Sequence, residues 1–358
     1  MDAGLTNPYQ SAQWLSAWQA TLGKAKGIEA AIGIGRSRGR PVVILPMGVE
    51  TAGGIRTLSF LGHQNGNQNT GIWDKDFYAL ATQEQIRFFL NALCRETKAD
   101  LLALQNVPET WHGRPHPLVL EKATKSPSPI FVRALPDDFE VLFRDTHSKS
   151  SRKNLLRKQR HLQAAGGYRV VKATTQDDIG RGLEAFLSQR ARRAAEAGIP
   201  NAFSGSTARH FLERLLGWTP EDGGDATRVL SIWYLEVDGI IRSTYLCSEW
   251  DGTIHAYSNS VAHDDLLPNS PGLVLIKEII DRACASEALD TLDLGLGEER
   301  YKTTWADSVP LKDSFVSVTL KGTLKEQLAR AVSRTKTAIR SSGWIWPLVR
   351  RLRKWKAG

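Results

Sequence analysis

Apolar residues recur along the chain in two rhythms, and each predicts an element. In NPYQSAQWLSAWQATLG, Trp14, Leu15, Trp18 and Leu22 fall three and four apart, which predicts a helix after a turn. IEAAIGIG and RGRPVVILPMGVE read as strands joined by a Gly/Arg/Ser turn, a hairpin, and IRTLSFLG as a third strand. GHQNGNQNTG is polar and glycine-rich and reads as a loop. Helical spacing returns in TQEQIRFFLNALCRET through Ile86, Phe89, Leu90 and Leu93. ADLLALQNV then reads as a buried strand, PETWHGRPHP as a loop, and FEVLFRD closes the half.

The second half follows a similar order without any residue-level repeat. SSRKNLLRKQRHLQAAGG predicts a helix with a Ser near its start and Gly166-Gly167 at its end. YRVVKAT is a strand. QDDIGRGLEAFLSQRARRAAEAG is a helix, with Ile179, Leu183, Phe186 and Leu187 along its apolar face, and TARHFLERLLGW is another. Three strands come next, punctuated by Asp238-Gly239 and Asp251-Gly252, the dipeptides that two-residue hairpin turns favour. A helix over Leu273 to about Ala285 and the strand TLDLGL complete the pattern. From Thr323 another helix places Leu324, Leu328, Val332 and Ile339 roughly on one side. The end of the chain interleaves Trp344, Trp346, Leu348, Leu352 and Trp355 with bases, and Pro347 interrupts any continuous helix there.

A length of 358 residues is enough for about two domains. Hydrophobic content of 41% and charged content of 24% fit a soluble globular protein. The start predicts no signal peptide, and no run reaches the roughly 18 apolar residues of a membrane span. Cys94, Cys247 and Cys284 are far apart, which argues against a disulfide framework or a zinc site and fits a reducing cytoplasm. No metal site is expected. The net charge of +9 is localised. Of the 47 Lys and Arg, nine lie between Gln327 and Gly358, with no acid among them, which leaves 38 bases against 38 Asp and Glu elsewhere. The C-terminus therefore seeks something anionic, while the body is neutral.

Three stretches are candidates for chemistry. The first is the turn Asn269-Ser270-Pro271-Gly272 before Leu273. Ser270 suits a cap, Pro271 the first helical position and Gly272 a close backbone approach. Free N–H groups at such a start bind anions, a pyrophosphate above all; the plainer reading is an ordinary helix start. The second is GLGEERYKTTW, beyond a strand end beside a helix start, the usual place for a ligand in open α/β sheets. Here Tyr301 suits proton donation to a leaving thiolate, Lys302 charge stabilisation, and Glu298 proton removal from an attacking amine or hydroxyl. The plainer reading is a solvated charged loop. The third is the run from His147 to Gln176, whose eight Lys and Arg, Arg152 and Lys153 among them, have no acid between them. It suits phosphates of a cofactor, nucleic acid or anionic substrate, or else pairs with acids from elsewhere. There is no P-loop, no nucleophile elbow and no H-E-x-x-H. GIGIGRSRG falls in the expected hairpin turn and opens no helix.

RKNLLRKQRHLQAAGGYRVVKA, FLSQRARRAAEAGI, VDGIIRSTYL, NSPGLVLIKEII and LDLGLGEERYKTTWA occur in an order that resembles the GNAT-type acetyltransferase domain of the CelD-like group, found with cellulose and exopolysaccharide biosynthesis. The same order is similar to the Fem-type peptidyltransferases, which attach amino acids from aminoacyl-tRNA to peptidoglycan precursors. NPYQSAQWLSAW and VVILPMGVE…GGIRTLSFLG resemble the N-terminal half of the CelD-like proteins, so the likeness spans roughly residues 7 to 320. The resemblance implies an α/β (α+β) protein of tandem GNAT-like folds, each a mixed, mostly antiparallel sheet flanked by helices. The implied division is 1–145, 146–322 and a basic, Trp-rich tail at 323–358. It also implies acetyl-CoA or another acyl-CoA as donor, with its pyrophosphate at Asn269–Leu273 and the backbone N–H groups of Gly272 and Leu273. Tyr301, Lys302 and Glu298 become the catalytic candidates, and Arg152, Lys153 and Tyr257 the candidates for binding an acceptor. The Q/R-x-x-G-x-G/A loop of typical GNAT enzymes is absent, as is the helical-hairpin insertion of the Fem type. The implied acceptor is a sugar, a lipid-linked saccharide or a cell-envelope precursor. The implied location is the cytoplasm, with the tail over 327–358 at an anionic inner-membrane face. An aminoacyl-tRNA-dependent transferase and a catalytically inactive scaffold in polysaccharide synthesis stay open as alternatives.

Overall fold

The computed structural model describes residues 4–218 and 228–341, with side chains described as far as Ala331. Its described residues divide into two compact units, one up to Ile130 and again from Val309, the other Phe131–Ser308.

The first unit begins with helix α1 (Ala12–Trp18), capped by Ser11 Oγ accepting from the Trp14 N–H. Trp14, Leu15 and Trp18 are buried, as their spacing predicts. Strands β1 (Glu29–Ser37), β2 (Arg40–Ala52) and β3 (Ile55–Phe60) form an antiparallel meander, and the short β4 (Ile72–Trp73) lies on β2. After α2 (Lys75–Leu80) and α3 (Gln83–Glu96), β5 (Leu101–Pro108) pairs in parallel with β3. The 109–117 segment is more ordered than a loop: β6 (Thr110–Trp111) and β7 (Arg114–Pro115) make a small hairpin before β8 (Thr124–Lys125). The polar stretch over 65–71 is a loop, but an internal one. Asn67, Gln68, Asn69 and Thr70 are buried, because the Asn69 side chain donates to Gln105 O at 2.9 Å and Asn7 donates to Thr70 Oγ1 at 3.1 Å.

The second unit opens with β9 (Ile130–Ala134). The segment FEVLFRD that ends the first half in sequence is helix α4 (Phe139–Thr146), and its Phe139, Leu142 and Phe143 belong to this unit's core. Then follow α5 (Lys149–Ala164), β10 (Tyr168–Lys172), α6 (Gln176–Ala197) and α7 (Ser206–Leu216). Strands β11 (Ser231–Val237), β12 (Ile240–Trp250) and β13 (Thr253–Val261) form a meander. Both Asp-Gly pairs between them have positive φ at each residue, as two-residue turns require. Helix α8 (Pro271–Cys284) crosses to β14 (Thr291–Leu296), parallel to β13, and α9 (Lys302–Trp305) and β15 (Asp307–Val309) follow. The chain then returns to the first unit with β16 (Leu311–Ser317), antiparallel to β5, and α10 (Leu320–Ser341).

Each seven-stranded sheet is therefore an antiparallel meander, a helical crossover and a parallel fourth strand. The orders are β1-β2-β3-β5-β16-β8, with β4 on β2, and β10-β11-β12-β13-β14-β9-β15. The expected mixed sheets flanked by helices are present. The boundaries differ from 145/146 and 322/323: α4 belongs to the second unit, and β16 and α10 to the first. No element is expected at 311–317 from the sequence; the segment is β16, and it pairs with β5 across about 200 residues. The rest of the expected tail, 342–358, lies outside the described residues.

Candidate active site

Strands β13 and β14 share a parallel register over Thr253–His255 and Thr291–Asp293. Beyond it they run on to Val261 and Leu296 without further pairing to each other. At the end of the register, buried His255 Nδ1 lies 2.9 Å from Asp293 Oδ2, and Asp293 Oδ1 accepts the Gly295 N–H at 2.7 Å. The start of α8 meets the end of β13, where a Cβ at Gly272 would come 2.9 Å from Val261 Cγ2. Glycine is needed here for packing against the sheet, a different reason from ligand approach.

The α8 start is partly spent on the protein itself. Ser270 sits in the left-handed region at φ 51° and makes no side-chain cap. Its Oγ accepts instead from Lys158 Nζ at 2.6 Å. Its carbonyl accepts the Leu273 N–H at 2.9 Å. Leu273 therefore does not offer a free amide, contrary to expectation, and among the described residues the Gly272 N–H of this turn has no backbone acceptor. Asn269 Oδ1 lies 3.3 Å from His161 Nδ1, and Pro271 is buried at the first helical position.

A cavity of about 550 Å³ adjoins this turn, lined by α5 through Ser151, Asn154 and Lys158, by His147 and Leu273, and by Arg300, Tyr301 and Trp305. Residues 151, 154, 155 and 158 recur with the helical period, so one face of α5 makes this wall. Lys158 is half-buried and Arg300 exposed. Among the described residues, none of the six Lys and Arg of α5 pairs with a carboxylate. Pairing with acids from elsewhere holds only for the last two bases of the run, Arg169 with Glu236 and Lys172 with Glu249.

Tyr301 is half-buried, and its hydroxyl lies 2.6 Å from that of Tyr245, which is wholly enclosed on β12. Tyr245 has no other polar partner among the described residues, so its O–H donates to Tyr301, whose own proton is left to turn elsewhere. Burial raises the pKa of both phenols, so Tyr301 stays protonated. His147 lies 4.2 Å from the Trp305 ring. Thr146 Oγ1 donates to Leu142 O at 2.8 Å and so accepts from His147 Nδ1 at 2.9 Å, which leaves Nε2 as the acceptor of the ring. Burial, with the nearby Arg152 charge, pulls the His147 pKa down to about 4, and the imidazole is neutral at pH 7.

The other predicted residues are elsewhere. Lys302 is 5% exposed, donates to Leu296 O and pairs with Glu299 Oε2 at 2.9 Å. It closes its own loop and does not line the cavity. Glu298 is exposed and does not line it either. Arg152 caps α4 by donating to His147 O at 2.6 Å, and with exposed Lys153 it lines a separate shallow groove along α5. Tyr257 on β13 packs edge-on to Phe203 at 6.1 Å, away from the cavity lining. His147, Asn154, Lys158, Arg300 and Tyr245 were not singled out individually from the sequence. Helical spacing from Leu155 would have marked Ser151 and Lys158 as one face; for Tyr245 the sequence offers no signal.

Residues 149–303 match the family model of an acetyltransferase (GNAT) domain. No curated protein matches the chain. Among solved structures it is similar to FemX, at 10% identity and a TM-score of 0.58 over 90% of this chain and 94% of that one. It is also similar to a conserved protein of unknown function from Bacteroides thetaiotaomicron (11%, 0.53, over 89% and 94%). A third is the C-terminal domain of a proposed lysylphosphatidylglycerol synthetase from Agrobacterium fabrum (10%, 0.52, over 90% and 96%). At these identities the likeness is one of fold, and it spans both units. A CelD-like grouping is not among these findings. Among the described residues no helix is long and apolar enough to cross a membrane.

Proposed function

We propose that the chain is an acyltransferase that moves an acyl group from acetyl-CoA or another acyl-CoA to an amine or hydroxyl of a sugar, lipid-linked or exopolysaccharide precursor. The observation that carries this reading is the cavity where Lys158, the α8 start, His147 and Tyr301 converge from segments about 150 residues apart. The donor set suits a diphosphate: one free amide at Gly272, the Lys158 ammonium on Ser270, and the Arg300 guanidinium at the rim. When bound, acyl-CoA supplies a thioester carbonyl open to direct attack. His147 Nε2 takes the proton of the attacking amine or hydroxyl, and Thr146 holds the tautomer that makes this possible. Tyr301 gives its proton to the departing thiolate while Tyr245 holds the phenol oriented. His147 replaces Glu298, and Lys302 supports the loop that presents Tyr301. Because the acceptor attacks directly, no covalent enzyme intermediate is needed.

A second reading has aminoacyl-tRNA as donor, and the unpaired cations of α5 favour it. Thermal shift separates the two. A clear rise in melting temperature with millimolar acetyl-CoA supports acyl-CoA use. No shift with acetyl-CoA, butyryl-CoA or palmitoyl-CoA, together with salt-sensitive tRNA binding, overturns it.

A further inference from the structure

Helix α10 carries three leucines, Leu320, Leu324 and Leu328, on the side away from the sheet. Its inner face is fixed: a Cβ at Gly322 would run into the Asp100 carbonyl, and Lys325 donates to Thr57 Oγ1 at 2.7 Å. Arg330 pairs with Glu326 at 2.7 Å and lies over the Phe315 ring. On the outer side Leu320, Leu324 and Leu328 are 86%, 64% and 68% exposed. Spacings of four residues put them in a stripe about 12 Å long within a sector of about 80°. A lone exposed leucine needs no explanation, whereas three in register on one helix do.

Charge indicates what covers the stripe. The single acid of α10, Glu326, is turned inward to Arg330 and Ser317. Lys321 is exposed beside the leucines. Beyond Arg330 the sequence adds eight bases and no acid, with Trp344, Trp346 and Trp355 among them. An anionic bilayer matches both features, with an apolar layer for the leucines and a diffuse negative surface for the bases. Since no described helix can span a bilayer, the fitting geometry lies in the interface plane. From this juxtaposition we infer that the outer face of α10 docks on a membrane rich in anionic phospholipid. Leu320, Leu324 and Leu328 enter the acyl boundary, and Lys321 beside them meets the headgroups.

The test is co-sedimentation of the full chain with vesicles of phosphatidylcholine, alone or with phosphatidylglycerol. The triple variant Leu320→Gln, Leu324→Gln, Leu328→Gln alters exposed positions, and unchanged melting confirms its fold. The wild type is expected to pellet with anionic vesicles, and the triple variant to lose roughly tenfold or more in partition coefficient. Equal binding by the two would assign the effect to the bases alone and overturn the docking face. So would absence of wild-type binding. Wild-type self-association abolished in the triple variant, without vesicle binding, would make the stripe an interface between copies and equally overturn the inference.

Discussion

Replacing Lys158 with Met is the most direct probe of the cavity. The ammonium is half-buried, held at 2.6 Å by Ser270 Oγ, and among the described residues no carboxylate pairs with it. Two unit charges 4 Å apart interact by about 4 kcal/mol at an effective dielectric of about 20, and by about 1 kcal/mol in water. A half-buried site lies between these limits, and Met keeps most of the apolar stem. The expected loss is about 1.5–3 kcal/mol, or roughly 10- to 100-fold in the Kd for coenzyme A. Isothermal titration calorimetry measures it, with Lys153→Met as the control for a base of the same helix outside the cavity. Raising the salt should weaken the wild type more than Lys158→Met. Unchanged affinity in Lys158→Met, or an equal loss in Lys153→Met, would refute the placing of the diphosphate at the α8 start.

Three further expectations follow, two from the second unit and one from the core of the first. Gly272→Ala should destabilise the second unit by about 1–3 kcal/mol, since the new methyl meets Val261 at 2.9 Å; an unchanged melting temperature would argue against the packing role. Tyr301→Phe should lower kcat by roughly 100-fold or more with little change in KM, and Tyr245→Phe less; full turnover in Tyr301→Phe would remove the phenol from the proton path. His116 is buried in the first unit, edge-on to Trp73 and Tyr78, and burial depresses its pKa from 6.5 to about 3. Its neutral form favours the folded state fully above pH 6.5, and that advantage is lost as the pH falls toward 3, because only the unfolded chain takes the proton. The loss is of the order of a few kcal/mol, so His116→Phe should flatten the fall in urea stability between neutral pH and about pH 4.5; an unchanged slope would point to other groups.

Local patterns gave much of the architecture to the reader of the sequence. The Asp-Gly pairs place the turns of the β11–β13 meander because their side chains tolerate the φ that those turns need. The apolar spacing of α3, α6 and α8 names their buried faces, since a helix that packs must bury a stripe. The loop before α9 offers Tyr301 because a strand end beside a helix start is a natural mouth. Less was legible where the partner is remote. Lys302 and Tyr301 are neighbours in sequence, yet one ammonium is turned to Leu296 O and the other side chain lines the cavity. Arg152 and Lys158 belong to one basic run, but a helix turns each residue by about 100°, so they face different partners.

The sequence by itself determined which segments coil, which extend and where they turn, because those choices are made within a few residues by sterics and by the period of apolar side chains. Only the tertiary structure decided that β16 completes the first sheet and that Lys158 is tied to Ser270. It also decided that Tyr245 spends its proton on Tyr301. Each of these depends on groups brought together from distant parts of the chain, where burial and hydrogen-bond satisfaction, unlike propensity, have no local signature.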